Sequence, residues 1–377
     1  MFQRLTVISL ILVVIVSCQQ PKQETIIVPQ LNLSIDEVKF PIPDDIPNDW
    51  GFGASSWDAN ERILHLYDPY RKDIVQYSLD QEKELKRISP FSDTLDPGDG
   101  QIFLYKFKGG YFLSSPPSFG FMKLDDGGNL INLWDDYILK KGKIKNWNYD
   151  YKFSLRSSKT MALSMLDEWT VPIFVDLANV ALGVYREDFY NHDLFAILDM
   201  KEGVIKRFPI RFPKEFLVNG RSYPRNSMPA FTAMGEGKMA YSFGINDSIH
   251  VLDTETGEVT DYAVPNIEAP VNIMPMDQDT FMDSNQSSAV YVNSFYYSQL
   301  SYDPYRKGLL RMGLKTVNGI SSRVLEIIDE DMKIIGQFEV PQQYSPVPYF
   351  FPNEMWFPYR RGYKEDEMML LRVRIED

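Results

Sequence analysis

The chain has 377 residues, 44% hydrophobic and 14% aromatic, and its 52 acidic against 39 basic side chains give a formal net charge of −13. That charge excludes a nucleic-acid partner, which needs a basic footprint. The apolar content is enough to bury a large core, as two ordinary domains or as one large all-β domain. There is one cysteine, so no disulfide can form within the chain and stability must come from packing.

That cysteine is Cys18, and it ends a signal-like segment. Arg4 supplies a short positive start, and residues 5–16 form an apolar run too short to span a bilayer comfortably. Ser17 is the small residue a peptidase needs before its cut, and Ile15-Val16-Ser17-Cys18 resembles the bacterial lipobox, whose cysteine is acylated. The alternatives are a plain secretory signal or an N-terminal membrane anchor. On the lipobox reading, residues 1–17 are a signal peptide and Cys18 carries at least two acyl chains, enough for stable anchoring. Residues 18–30, polar and proline-containing, read as a lipidated flexible tether. The expected address is the cell envelope, lipid-anchored at the outer membrane, with the membrane itself as a partner.

After the tether, short strands follow in a repeating order. An apolar residue plus aspartate ends a strand at Leu79-Asp80, Leu124-Asp125, Leu198-Asp199, Leu252-Asp253 and Ile328-Asp329, each followed by a tight polar turn and a further strand. Gly and Asp supply the dihedrals such turns need. The spacing is that of β-propeller blades with loop insertions. In the first repeat, strands are expected near residues 50–56, 63–67, 73–78 and 84–88. The first strand, residues 31–40, has no partner before it, and the last, 368–375, has none after it. Residues 31–40 end Phe40-Pro41, as the fourth strands end Phe208-Pro209, Val264-Pro265 and Val340-Pro341. Proline suits an edge position. So the first strand is expected to complete the last blade and close the ring. The expectation is an all-β chain, residues 31–377 forming a single six-bladed β-propeller closed by its N-terminal strand, with seven blades as the alternative. No long 3.6-residue periodicity predicts a substantial helix.

The hexapeptide Tyr67-Asp68-Pro69-Tyr70-Arg71-Lys72 recurs as Tyr302-Asp303-Pro304-Tyr305-Arg306-Lys307, with echoes at Pro358-Tyr359-Arg360-Arg361 and Tyr185-Arg186. Asp-Pro opens a type I turn, and Tyr and Arg project from it. Tyr70, Arg71, Arg186, Tyr359 and Arg360 would share one rim, where they could stack on sugars or fork to carboxylates. The fifth-repeat copy is expected between first and second strands, on the opposite rim, which favours turn chemistry over one site. The connection 211–230 adds Arg221 and Arg225 as candidate ligand-binding residues on the first rim. Asp93, Asp96 and Asp99, and Asp277, Asp279 and Asp283, lie in two more such connections. Their spacing does not match a calcium loop, and solvated acids explain them more simply. His65, His192 and His250 share no ligand spacing. No local metal, cofactor, nucleophile or phosphate motif is present, so no metal or cofactor is expected, and catalytic residues stay unassigned.

The lipobox, the Tyr-Asp-Pro-Tyr-Arg-Lys turns and the terminal closure together resemble a family of Bacteroidota lipoproteins of unknown function, of about this length and built as six-bladed propellers. The clearest mark is residues 302–307 followed by Gly308-Leu309-Leu310-Arg311. The resemblance implies the address and the fold and carries over no catalytic residues. Three functions fit: a module binding a protein, glycan or peptide through one rim; a hydrolase or lyase acting on a carbohydrate or lactone in the central channel; or a scaffold with an apolar rim patch, for which Trp356 and Trp147 are candidates. Cys18→Ser is expected to abolish incorporation of labelled palmitate and release the chain from membranes. Retained label would refute acylation at this position.

Overall fold

The computed structural model describes residues 31–41, 55–90, 102–115, 119–134, 152–154, 165–176, 185, 187–202, 204–226, 229–266, 270–359 and 367–376. The first strand, β1 (Asn32–Pro41), belongs to the last blade. Blade 1 is β2 (Ser55–Asp58), β3 (Ile63–Asp68), β4 (Asp73–Ser78) and β5 (Lys83–Ile88). Blade 2 is β6 (Phe103–Phe107), β7 (Gly110–Ser115), β8 (Phe119–Asp125) and β9 (Leu130–Trp134). Blade 3 is β10 (Lys152–Ser154), β11 (Thr170–Asp176), β12 (Phe195–Asp199) and β13 (Val204–Phe208). A small hairpin, β14 (Leu217–Val218) with β15 (Arg221–Ser222), leads to blade 4: β16 (Ala230–Gly235), β17 (Lys238–Ser242), β18 (Ser248–Asp253) and β19 (Val259–Ala263). Blade 5 is β20 (Phe295–Asp303), β21 (Gly308–Val317), β22 (Ile320–Ile328) and β23 (Ile334–Glu339). Blade 6 is β24 (Tyr349–Phe351), β25 (Glu354–Pro358) and β26 (Glu367–Glu376), with β1 outside β26.

Six four-stranded antiparallel sheets make this a six-bladed β-propeller closed as expected by its N-terminal strand. β1 pairs with β26 from Asn32↔Glu376 to Pro41↔Glu367. The first-blade inner strand is described over Ser55–Asp58, two residues past its expected end; residues 50–54 of the expectation lie outside the described residues. The connection between blades 4 and 5 carries two short helices, Gln278–Met282 and Ser284–Val290, which the strand periodicity did not signal.

The core lies between blades. Six hydrophobic clusters each join two neighbours around the ring. Strand geometry explains this, because successive side chains point to opposite faces. On β3, Leu64 and Leu66 pack toward blade 6 while Tyr67 packs toward blade 2. Middle strands are therefore buried on both faces, and β3 is buried at all six positions.

Polar ties also cross these interfaces, two of them deeply buried. Arg311, fully buried on β21, donates to Glu326 on β22 at 2.8 Å. It also donates to the carbonyls of Asp247 and Val264 in blade 4, at 2.9 and 2.6 Å, and its guanidinium lies 3.8 Å from the Tyr297 ring centroid. Between blades 1 and 2, His65 Nδ1 meets the Tyr111 hydroxyl at 3.1 Å, and that hydroxyl accepts from Gln76 at 2.7 Å.

The turns define two ends of the ring. Turns joining first to second and third to fourth strands share one end, here the turn rim. Turns joining second to third strands, and the connections between blades, share the other, the loop rim. A strand-ending aspartate shapes many of these turns. Asp58, Asp125, Asp199 and Asp253 each accept hydrogen bonds from backbone N–H groups two to four residues on. The Asn129 side-chain amide, with backbone N–H groups, holds the Asp125 carboxyl below the usual range, and the Thr256 N–H does the same at Asp253.

Arg311→Ala removes the charge partner of the buried Glu326 carboxylate, leaving it the Asn266 amide, and is expected to cost about 3 kcal/mol, read as a lower urea midpoint; an unchanged midpoint would refute the tie. Burial lowers the His65 pKa from its ordinary value to about 4. The folded state thus resists protonation, and stability present above pH 6.5 is lost as pH falls from about 6.5 to 4, by on the order of 3 kcal/mol. Melting temperature should fall across that window, and less steeply in His65→Gln. Equal slopes would contradict this.

Candidate functional site

A cavity of about 1030 Å³ opens at the mouth of the central channel, at the turn rim. All six blades line it: Trp57 from blade 1, Tyr105 to Lys108 from blade 2, Met165 to Glu168 from blade 3, Phe231 to Glu236 and Lys238 from blade 4, Leu300 to Tyr302, Pro304 and Lys307 from blade 5, and Val347 and Phe350 from blade 6. Most of these residues sit where first strands end and second strands begin; Phe231 and Val347 lie at the starts of first strands, deeper in the channel.

Local structure holds the wall in place. Trp57 donates from its indole N–H to the Phe350 carbonyl at 2.8 Å, with its ring centroid 5.3 Å from that of Tyr349. This adds a tie between blades 1 and 6 at the channel, beside the Arg62 to Glu354 ion pair. The backbone N–H of Lys106 donates to Ser56 Oγ at 2.9 Å, which joins blade 1 to blade 2. The Lys106 ammonium donates to the Phe107 carbonyl and to Asp126 at 2.7 and 2.9 Å. Beside the mouth, Lys123 lies 3.3 Å from the Trp169 ring centroid and donates to the Glu168 carbonyl at 2.9 Å. Burial lowers its pKa, and the charge of Glu168 opposes that shift.

Among the described lining residues, Lys106, Lys108, Lys238 and Lys307 face Asp167, Glu168 and Glu236. Four cations against three carboxylates make the mouth slightly positive on a chain of net charge −13. Six aromatic rings stand between them: Trp57, Tyr105, Phe107, Phe231, Tyr302 and Phe350. The described lining holds no histidine or cysteine. Asp167 is occupied as a turn cap, accepting from the N–H groups of Trp169 and Thr170 at 2.6 and 2.9 Å. Among the described residues no group of three or more His, Cys, Asp or Glu is placed to hold a metal ion. A His–acid pair exists elsewhere. His250 Nδ1 and Asp261 Oδ1 are 2.6 Å apart on β18 and β19, the outer half of blade 4, and the His250 ring stacks on Tyr241.

The described candidate ligand-binding residues lie on the loop rim, away from this mouth, whereas Tyr302, Pro304 and Lys307 of the second hexapeptide line it. Tyr70 is 81% exposed in the turn between β3 and β4, and Arg71 is exposed beside it. Tyr359 follows β25 and packs its ring edge-on against Tyr344, at 5.3 Å. Arg221 sits on β15, where its charge helps lower the pKa of Asp277. Arg225 falls in a short helical turn, Pro224–Asn226. Cys18, Arg186 and Arg360 lie outside the described residues, as do Asp93, Asp96, Asp99 and Trp147. Trp356 is 2% exposed and stacks on Phe40, so it belongs to the core and cannot form a rim patch. Asp277 and Asp283 cap the two short helices by accepting backbone N–H bonds.

The two hexapeptides occupy opposite rims. Asp68 accepts from the N–H groups of Tyr70 and Arg71, and Asp303 from those of Tyr305 and Arg306. Lys72 and Lys307 both take positive φ, 59° and 52°. The repeat therefore encodes one turn shape used twice. After the second copy only glycine fits, because a Cβ on Gly308 would lie 2.2 Å from the Ile328 carbonyl oxygen. Sequence reasoning named the central channel as one possible site but, apart from the second hexapeptide, none of its wall residues, because each blade contributes only a short, unremarkable stretch to it. The one usable signal was the position of each turn between first and second strands.

No helix among the described residues is long and apolar enough to cross a membrane. No protein-family model and no curated protein matches the sequence. Solved structures do. A member of the DUF4221 family from Bacteroides vulgatus aligns at TM-score 0.66 and 15% identity, over 93% of this chain and 99% of that one. A Bacteroides fragilis protein inferred to be exported aligns at TM-score 0.52 and 11% identity, over 92% and 96%. At these identities the likeness is one of fold: the chain shares its whole propeller architecture with proteins from Bacteroides.

Proposed function

We propose that the protein is a lipid-anchored envelope propeller that binds a peptide segment of a partner protein in the turn-rim mouth of its channel. The observation that carries this reading is the composition of the wall. A cavity of about 1030 Å³ is large enough for a ligand. Its aromatics alternate with side chains of both charge signs, which suits a peptide carrying apolar and charged groups. The anchor rests on Cys18 and the residues before it.

A hydrolase or lyase reading is weaker. It needs carboxylates or a His–acid pair converging in the channel. The described wall offers Asp167 already bound to backbone, Glu168 beside Lys123, and the exposed Glu236. The loop-rim reading loses support as well, since the hexapeptide repeat is explained by turn geometry.

The test is titration of the mature chain, in detergent, with an immobilised peptide library and a glycan array. A peptide hit is expected to weaken at least ten-fold in Lys108→Glu or Lys238→Glu, about 1.4 kcal/mol or more, and to be unchanged in Tyr70→Ala. A ligand that is a glycan, or one lost in Tyr70→Ala but not in Lys238→Glu, would contradict the assignment.

A further inference from the structure

We infer that the channel mouth faces the membrane to which the chain is tethered, so that the peptide it takes belongs to a protein of that same membrane. The inference rests on the anchored, peptide-binding reading above, and chain direction carries it. β26 follows the turn between second and third strands of blade 6, so it runs from the loop rim to the turn rim. β1 is antiparallel to it, with Asn32 opposite Glu376. The chain therefore joins the propeller at the turn rim, the end at which the cavity opens.

Chain length makes this geometry restrictive. Twelve residues separate Cys18 from Leu31. A flexible coil of that length has an end-to-end distance of about 20 Å, and full extension gives about 40 Å. A blade is itself about 30 Å tall along a nine- or ten-residue strand such as β22 or β21. An acyl group on Cys18 thus holds the turn rim nearer to the bilayer than the loop rim.

The lipid surface itself does not suit this rim. Turns between third and fourth strands ring its periphery with exposed carboxylates, among them Glu82, Asp126, Glu202, Glu255 and Glu330. Like charge keeps such a ring from lying flat on anionic headgroups. The slightly positive, aromatic mouth stands inside that ring. The arrangement leaves a gap under the propeller, open at its sides, into which a segment of a neighbouring membrane protein can rise.

The absence of any cysteine besides Cys18 makes the orientation measurable, because acylation consumes the native thiol and an introduced cysteine takes a dye alone. Ile320→Cys, at a loop-rim position 77% exposed, and Lys333→Cys, whose side chain is 72% exposed at the turn rim, bracket β22 on blade 5. Each labelled, acylated full-length protein is placed on phosphatidylcholine vesicles containing an acceptor dye on the headgroup. Energy transfer is expected to be markedly stronger from position 333 than from 320. Equal or reversed transfer overturns the orientation.

A photo-crosslinking residue at position 238, in cells that process the lipobox, supplies the second arm. The expected adduct is protease-sensitive and stays with the membrane through an alkaline wash. A glycan adduct, a soluble one, or none overturns the membrane-protein partner. Reversed transfer with a retained adduct would defeat the orientation alone. Correct transfer with no adduct would defeat the peptide-binding reading, and the partner with it, and leave the orientation standing.

Discussion

The structure depends on one pairing, that of β1 with β26. A propeller blade cannot bury both its faces unless the ring is complete, and this ring is complete only because a strand from one end of the chain joins three from the other. The seam is secured along its length. Phe40 stacks on Trp356, Lys39 pairs with Glu367 at 3.4 Å, Arg372 donates to Asp36, and the Tyr344 hydroxyl donates to Glu37. The same pairing brings blade 6 against blade 1, where Leu64, Leu66, Val75 and Tyr77 meet Phe351, Trp356 and Leu370. Closure thus sets the core, the channel and the point at which the chain leaves the ring.

Much of this was legible in the sequence, for identifiable reasons. Turn chemistry is local, so Leu-Asp before a polar turn marks a strand end, usually that of a third strand, with Leu166-Asp167 before a second strand as an exception. The aspartates at 125, 199 and 253 act as that chemistry requires, accepting the backbone N–H groups of the turn that follows. The proline after Phe40 matched the prolines after other fourth strands, and so tied the first strand to the last blade. The helices at Gln278–Met282 and Ser284–Val290 were illegible because they are too short to develop a periodicity and are held by side-chain caps instead.

The site was illegible for the opposite reason. It is assembled across the ring, and its parts are distant in sequence: Trp57 and Phe350 touch across nearly three hundred residues. The most conspicuous local signal, the repeated Tyr-Asp-Pro-Tyr-Arg-Lys, reports a backbone shape that blades 1 and 5 use on opposite rims. A repeated motif in a repeat protein marks a repeated structural need. A binding surface in such a protein is found where unlike residues from different repeats converge.

Amide hydrogen exchange along β1 tests the closure most directly. If the N-terminal strand seals the ring, the hydrogen-bonded amides of β1 exchange as slowly as those of β26 and lose protection together with the core strands of blades 1 and 6. Exchange of β1 at the rate of an open loop, while β26 stays protected, would contradict it. The propeller would then stand without its first strand, and neither the channel mouth nor the point of attachment would be fixed as described.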